Sequence, residues 1–371
     1  MHDRRSPTDN IIPQVRAMSA YTLERRDSRI KLNQNEAPWD LPAALKQQVL
    51  ERVAAMPWNR YPDFHPADVL EALGKRHGLP PESVLIGNGS NELLQAIFAA
   101  CAGAGVPIAL PAPTFSLYKA MALANEAAVE LVPLRPDLSW DRERLEALAT
   151  ERRAHLLICN PNNPTGSAVD AAFIDRLCQL TDRLVIVDEA YIQFADEGTA
   201  ADHLIARHPH LIVLRTLSKA AGLAGIRFGY ALGSPEVMRE ISKIKLPYNI
   251  GHFGLEVIRC VLADEVHIPA RVKVLLSERE RVRAALVALG VHVWPSQANF
   301  LLFGVHDTHA VFEHLAAHDI LIRDVSHYPM LAGCLRVTLG APEDNDAFLH
   351  HIAEALPGAP ARPAAPEETK P

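Results

Sequence analysis

Cysteine is scarce in this chain: five residues, Cys101, Cys159, Cys178, Cys260 and Cys334, odd in number and scattered. That excludes a disulfide framework and predicts reduced core thiols in a cytoplasmic protein. Long hydrophobic runs are also missing. Each apolar stretch meets a polar residue, Pro or Gly before it could cross a bilayer. The opening residues, Met1-His2-Asp3-Arg4-Arg5, lead into no apolar segment, which argues against a signal peptide. Positive charge is not in excess: 37 basic residues stand against 44 acidic ones, net −7, and no basic patch marks a nucleic-acid partner. No internal repeat is visible. What is present is 49% hydrophobic residues over 371 positions, enough for a large core and two lobes of a globular enzyme.

One lysine stands out. Lys219 lies in the stretch from Leu214 to Tyr230, reading Leu-Arg-Thr-Leu-Ser-Lys-Ala-Ala-Gly-Leu-Ala-Gly-Ile-Arg-Phe-Gly-Tyr. A lysine by itself is usually a solvated surface residue. This one has hydroxyls beside it at Thr216 and Ser218, small residues after it, and Arg227 further on. An amine in that setting holds an aldehyde cofactor as a Schiff base. Hydroxyls and a guanidinium hold a phosphate next to it. Gly222 and Gly225 are expected to let backbone approach closely.

Two further segments make a constellation. In Leu156-Leu157-Ile158-Cys159-Asn160-Pro161-Asn162-Asn163-Pro164-Thr165-Gly166 an apolar strand runs into a loop stiffened by Pro. In Leu184-Val185-Ile186-Val187-Asp188-Glu189-Ala190-Tyr191 a continuous apolar run ends in a carboxylate. Such runs suit strands buried on both faces. Leu211-Ile212-Val213-Leu214 leads to the lysine in the same way. Asn163, Asp188 and Lys219 therefore each follow the C-terminal end of a predicted parallel strand, where open α/β sheets bind ligands. A buried carboxylate such as Asp188 keeps a pyridine nitrogen protonated. Asn163 and Tyr191 can donate to a phenolic oxygen. Taken singly, Asp188 also reads as a helix N-cap and Asn-Pro-Thr-Gly as a turn.

From about residue 20 to 355 the chain resembles the fold-type I, class II pyridoxal-phosphate aminotransferases, and within them the histidinol-phosphate aminotransferases. The segments that carry the resemblance are Asn160–Gly166, Asp188–Tyr191 and Leu214–Tyr230. It implies pyridoxal 5′-phosphate as cofactor, with Lys219 bound to it and moving the proton in catalysis, and Asp188 paired with its ring nitrogen. Asn163 and Tyr191 would face the phenolic oxygen. Thr216, Ser218 and Arg227 would hold the phosphate, with Gly89, Ser90 and Asn91 where a loop opens a helix. Tyr61, in Asn59-Arg60-Tyr61-Pro62, matches a tyrosine that reaches the neighbouring subunit's phosphate. Phe115 matches a ring that stacks on the cofactor; many relatives have tyrosine there, so a polar contact is lost.

The resemblance also assigns substrate contacts to Asn33 and Asn35, in Leu32-Asn33-Gln34-Asn35-Glu36, and to Tyr21 across a homodimer with shared active sites. Arg323 and Arg336 match two substrate-binding arginines. Two guanidiniums suit a phosphate dianion better than a single carboxylate. The implied substrates are histidinol phosphate and glutamate or 2-oxoglutarate. An aromatic amino acid aminotransferase and a threonine-phosphate decarboxylase of the same fold stay open as alternatives. A regulator built on this fold would need an added DNA-binding segment, for which no stretch remains before residue 30 or after 355.

The coarse pattern predicts an α/β protein: a large three-layer α/β/α domain with a mostly parallel sheet, and a smaller α+β domain. Strands are expected near 83–87, 107–110, 129–132, 155–159, 184–188, 211–214 and 228–232. Helical faces fall at Ala67–His77 and Phe173–Thr181. A long helical stretch, about 252–289, leads into small-domain strands near 291–294, 299–303, 320–323 and 334–338, joined by one near 29–33. The expected divisions are an N-terminal segment (1–40), the large cofactor-binding domain (41–248), the small domain (249–356) and a disordered tail (357–371). Residues 1–20 read as poorly structured. His314 and His318 are spaced i, i+4, but His-Leu-Ala-Ala-His lacks the glutamate of a zinc hydrolase, and no metal is expected.

Overall fold

The computed structural model describes residues 6–18, 26–102, 105–151, 154–264 and 266–356. A short strand, β1 (Ile30–Lys31), precedes the seven strands of the larger sheet. These are β2 (Val84–Gly87), β3 (Ile108–Ala112), β4 (Val129–Pro133), β5 (His155–Cys159), β6 (Val185–Asp188), β7 (Leu211–Thr216) and β8 (Gly229–Leu232), in the spatial order β2-β8-β7-β6-β5-β3-β4. Only β8 runs against its neighbours, pairing antiparallel with both β2 and β7. Every residue of β5, β6 and β7 is buried. Alternate side chains enter opposite cores: Leu156, Ile158, Val185, Val187 and Val213 pack on one face, Leu157, Cys159, Ile186, Ile212 and Leu214 on the other. That two-residue period, with helices over both faces, gives the α/β/α layers and lines up the C-terminal ends of β5, β6 and β7.

The smaller α+β unit holds an antiparallel sheet, β9 (His292–Val293), β10 (Phe300–Gly304), β12 (Arg323–Asp324) and β13 (Cys334–Thr338), ordered β12-β13-β10-β9. Beside it β1 pairs in parallel with β11 (Ile320–Leu321). The single strand expected over 320–323 is thus two. Ile320–Leu321 bonds to β1, Ile322 intervenes, and Arg323–Asp324 bonds to β13.

Helix ends follow their capping residues. Ala67–His77 stops at Gly78, which takes the left-handed φ of +65°. Ala171–Leu180 starts from Asp170, whose carboxylate accepts the Phe173 amide. The long helix expected over 252–289 is broken into His252–Leu262 and His267–Ala288. Asp264 Oδ1 accepts the amides of Val266 and His267, which caps the second helix. Pro269, lacking an N–H, fits the first turn that follows.

Of residues 1–20, which the sequence reads as poorly structured, only 6–18 are described. Pro7–Asn10 and Pro13–Arg16 form short helical turns, each with proline at its first position. Ser6 Oγ accepts from the Thr8 amide, and the Ser6 amide donates to Asp9. Tyr21 and the tail 357–371 lie outside the described residues.

Candidate active site

The ends of β2, β3, β5, β6 and β7 open onto one cleft, closed from the other side by residues of the smaller unit. Asp188 ends β6 and is buried. Burial holds its carboxyl above the usual range, against three stabilising influences: a 2.8 Å hydrogen bond from Tyr118 Oη, one from the Ala190 amide, and the nearby charge of Lys219. Lys219 follows β7, and its Nζ donates to the Gln34 carbonyl oxygen at 2.9 Å. Burial, helped by the charge of Arg336, brings its pKa down to about 8.

Tyr191 closes one wall. Its Oη accepts from Asn35 Nδ2 at 3.0 Å and Asn163 Nδ2 at 3.3 Å. Both amides have their orientation set by partners on the oxygen side: Thr338 donates to Asn35 Oδ1 and Arg336 to Asn163 Oδ1. With its lone pairs engaged, the tyrosine keeps its proton to donate. Burial pushes that phenol well above its ordinary pKa.

An anion cradle lies at the cleft's other end. The helix Ser90–Cys101 begins after Gly89, at φ +80°, and its first amides have no intrahelical partner. A Cβ on Gly89 would stand 2.5 Å from Arg227 Nη2, and one on Gly229 would stand 2.3 Å from the Ser90 amide nitrogen. Only glycine permits both approaches. Arg227 Nη1 donates to Ser218 Oγ at 3.4 Å, and the Thr216 hydroxyl donates to Ser218 Oγ at 3.0 Å. Arg227 itself has a left-handed φ of +59°, strain that its surroundings must hold in place.

Arg323 and Arg336 face each other in the β12–β13 register, and both line the cleft. Arg336 is buried; Nη2 donates to the Asn33 carbonyl at 2.8 Å and its guanidinium lies over the Phe300 ring. Asn33 Oδ1 is buried without a hydrogen-bond partner among the described residues.

The matching family model is that of aminotransferase class I and II, over residues 27–352. The chain belongs to the class I and II aminotransferases. This aminotransferase is 41% identical to the histidinol-phosphate aminotransferase of Chlorobaculum tepidum over 340 residues, 91% of this chain and 97% of the relative. Its fold matches the crystal structure of histidinol-phosphate aminotransferase from Sinorhizobium meliloti in complex with pyridoxal-5′-phosphate, with TM-score 0.83, 24% identity, and 92% and 96% of the two chains covered. It also matches L-threonine-O-3-phosphate decarboxylase from Porphyromonas gingivalis, with TM-score 0.75, 22% identity, and 88% and 98% covered. Likenesses at those identities speak for the fold.

The aminotransferase's cleft gathers most of the residues singled out in the sequence. Asn33, Ser90, Asn91, Phe115, Asn163, Asp188, Tyr191, Thr216, Ser218, Lys219, Arg227, Arg323 and Arg336 all line it. Gly89 supports Arg227 from behind, and Asn35 stands behind Tyr191. Tyr61 does not join them: it is 78% exposed and stacks on Tyr248 at 4.5 Å. Gly222 has φ +70° and a Cβ there would meet the Trp39 carbonyl at 3.0 Å, whereas Gly225 has open space around it, so no close approach explains that glycine. Tyr118, Cys159, Tyr328 and the Gln34 carbonyl also line or touch the site and went unread. Tyr118 follows Phe115 by one helical turn, and a buried Asp188 required some donor; together those signals could have found it. The Cys159 thiol, pushed up to about 12 by burial, is inert.

The donor set fits pyridoxal phosphate. Asp188 is a buried carboxylate that burial disfavours until a cation pairs with it, as a protonated ring nitrogen would. The cradle of Ser90, Thr216, Ser218 and Arg227 suits a phosphate, and Asn163 and Tyr191 suit a phenolate.

Proposed function

We propose that this aminotransferase interconverts L-histidinol phosphate plus 2-oxoglutarate with imidazole-acetol phosphate plus L-glutamate; its relatives are named histidinol-phosphate aminotransferases. The carrying observation is the pair Arg323 and Arg336, opposed across β12–β13 on the same cleft as Lys219. Two guanidiniums are the recognition chemistry of a phosphate monoester. The unpartnered Asn33 Oδ1 is an acceptor for an N–H of the substrate.

Pyridoxal phosphate, when bound, supplies the aldehyde that condenses with amines and a ring that draws electron density from the substrate α carbon. The chain supplies the rest. Lys219 Nζ, whose pKa is brought down to about 8, would take the proton from the substrate α carbon and deliver it to the cofactor's C4′. Asp188 keeps the ring nitrogen cationic. Asn163 and Tyr191 donate to the phenolic oxygen. The helix start at Ser90, with Thr216, Ser218 and Arg227, would hold the phosphate and so position the cofactor against Lys219.

A homodimer belongs to the same proposal. Tyr61, Phe64 and Tyr248 form an exposed aromatic group, with Trp58 and Leu246 also exposed on the same segments. Exposed apolar area of this kind calls for a partner, and a second copy would cover it and deliver Tyr61 to a neighbouring site. No described helix is long and apolar enough to cross a membrane. The five unpaired cysteines support a cytoplasmic setting.

The test is a stopped-flow spectrum of cofactor-loaded enzyme with histidinol phosphate, and separately with phenylalanine and threonine phosphate. Rapid conversion of the lysine-bound cofactor to its amine form with histidinol phosphate is the expected result. Preference for phenylalanine would make it an aromatic aminotransferase, and carbon dioxide from threonine phosphate a decarboxylase; either outcome overturns the proposal.

A further inference from the structure

Read on one helix, His314 and His318 are only a spaced pair. The fold adds two more side chains. His314 lies on the helix Thr308–Ala317 and His318 is its C-cap, while His351 and Glu354 lie a turn apart on Pro342–Ala355. One ligand atom from each of the four, a ring nitrogen or a carboxylate oxygen, falls within 4.8 Å of the others. These residues stand apart from those that line the active-site cleft.

The hydrogen bonds decide which lone pairs are available. His318 Nδ1 is 2.8 Å from the His314 carbonyl oxygen. A carbonyl only accepts, so Nδ1 carries the proton and Nε2 keeps its lone pair. His351 Nδ1 is 2.9 Å from Glu354 Oε2, so an ion that takes the place of the proton between them would be held by both side chains. His314 Nε2 is buried and has no hydrogen-bond partner among the described residues; Glu354 Oε2, at 3.7 Å, is beyond reach. The carbonyl behind the His318 imidazole is the kind of outer partner that orients a metal-binding histidine. The rings are already gathered: His318 and His351 stack at 4.1 Å between centroids, and His314 and His318 lie at 4.6 Å.

We propose that His314, His318, His351 and Glu354 bind one zinc ion, which ties the helix Thr308–Ala317 to the helix Pro342–Ala355. Three imidazoles and a carboxylate form a zinc donor set. Tetrahedral zinc, with bonds of about 2.0–2.1 Å, holds its ligand atoms roughly 3.3–3.5 Å apart. His318 and Glu354 are exposed, so their side chains are free of packing that would oppose a move toward that spacing. The other gathering of ligand types, Cys178 with His208 and His210, is poorer. His208 Nε2 is held by Asp175 at 2.6 Å, His210 Nε2 by the Cys178 carbonyl at 3.2 Å, and burial pushes the thiol up to about 12.

The experiment uses the tag-free, cofactor-loaded full chain, stripped with chelator and titrated with Zn²⁺ by calorimetry and with Co²⁺ by absorption. One ion per chain is expected, with the intense visible bands of tetrahedral Co²⁺. Loss of an outer partner alone costs a metal site about 10–100-fold in affinity, so His318→Gln with His351→Gln together should cost at least ~100-fold. Cys178→Ser should leave binding intact. The double variant should keep its transamination rate, which shows that it is folded. Absence of saturable binding, or binding that survives the double variant, overturns the proposal.

Discussion

Tyr118 Oη donates a 2.8 Å hydrogen bond to Asp188 Oδ2, and both side chains are buried. The phenol's pKa is raised, first by burial and then by the Asp188 charge, so it remains the donor of the pair. Asp188 must be ionised to pair with a cationic ring, yet burial favours its neutral form. Tyr118 is therefore a positioning residue that helps to keep Asp188 charged. Tyr118→Phe should weaken cofactor binding about tenfold or more, given roughly 1.5–3 kcal/mol for a hydrogen bond to a charged group. Asp188→Asn should weaken it further. Equilibrium dialysis of the cofactor checks the order; equal affinity in Tyr118→Phe and wild type would remove this role.

Lys219 makes a prediction in pH. Its pKa of about 8 comes first from burial, then from the charge of Arg336. The neutral amine is the nucleophile. In cofactor-free enzyme the rate of covalent capture of pyridoxal phosphate should climb tenfold per unit below pH 8 and level off above it. Arg336→Gln removes a neighbouring positive charge, so the ammonium form is favoured and the midpoint moves up. A midpoint at the ordinary lysine value of about 10.4 would contradict the burial argument.

The arginine pair separates substrate from cofactor. Arg336 also holds Asn163 and Asn33, so Arg323→Gln is the cleaner probe. It should raise KM for histidinol phosphate by about 10–100-fold, in keeping with the loss of a charge-assisted bond. KM for glutamate should move much less. An equal rise for both, in steady-state kinetics, would point to carboxylate recognition instead.

A second buried charge lies next door. Glu189 is fully buried, 2.6 Å from Arg215, and burial pushes its carboxyl up to about 7 despite that partner. Its folded pKa is above the unfolded value of about 4.3. Its contribution to stability is therefore complete below that value and is lost as pH rises through 7. Arg215→Met leaves the carboxylate without its counter-charge, a loss of about 3–5 kcal/mol when ionised. Urea unfolding should show a larger destabilisation at pH 8 than at pH 6, where Glu189 can take up a proton; a pH-independent difference would refute the account.

The strands of the larger sheet were legible to within a residue or two, because strands buried on both faces need continuous apolar runs. Val185–Asp188 and Leu211–Thr216 are of this kind. Partner switching is not written in such runs, which is why Ile320–Leu321 and Arg323–Asp324 were read as one strand. Lys219, Asp188 and Asn163 could be found because their chemistry sits in local motifs. The Gln34 carbonyl could not, since a backbone oxygen has no residue type. His351 and Glu354 escaped for a related reason: they join His314 only through the packing of two helices.

The cleft is closed by partners from the two ends of the chain. The Asn35 amide donates to Thr338 Oγ1 across 303 positions, and Arg336 reaches the Asn33 carbonyl across the same span. A ribosome that has just released Lys219 has made the reactive amine but not its enclosure. Contacts so distant in sequence form late, after the long loop between them has closed. From the moment it emerges until the end of synthesis the lysine is therefore an accessible amine, and it becomes a selective one only when the strand Cys334–Thr338 locks the Asn33–Asn35 segment in place.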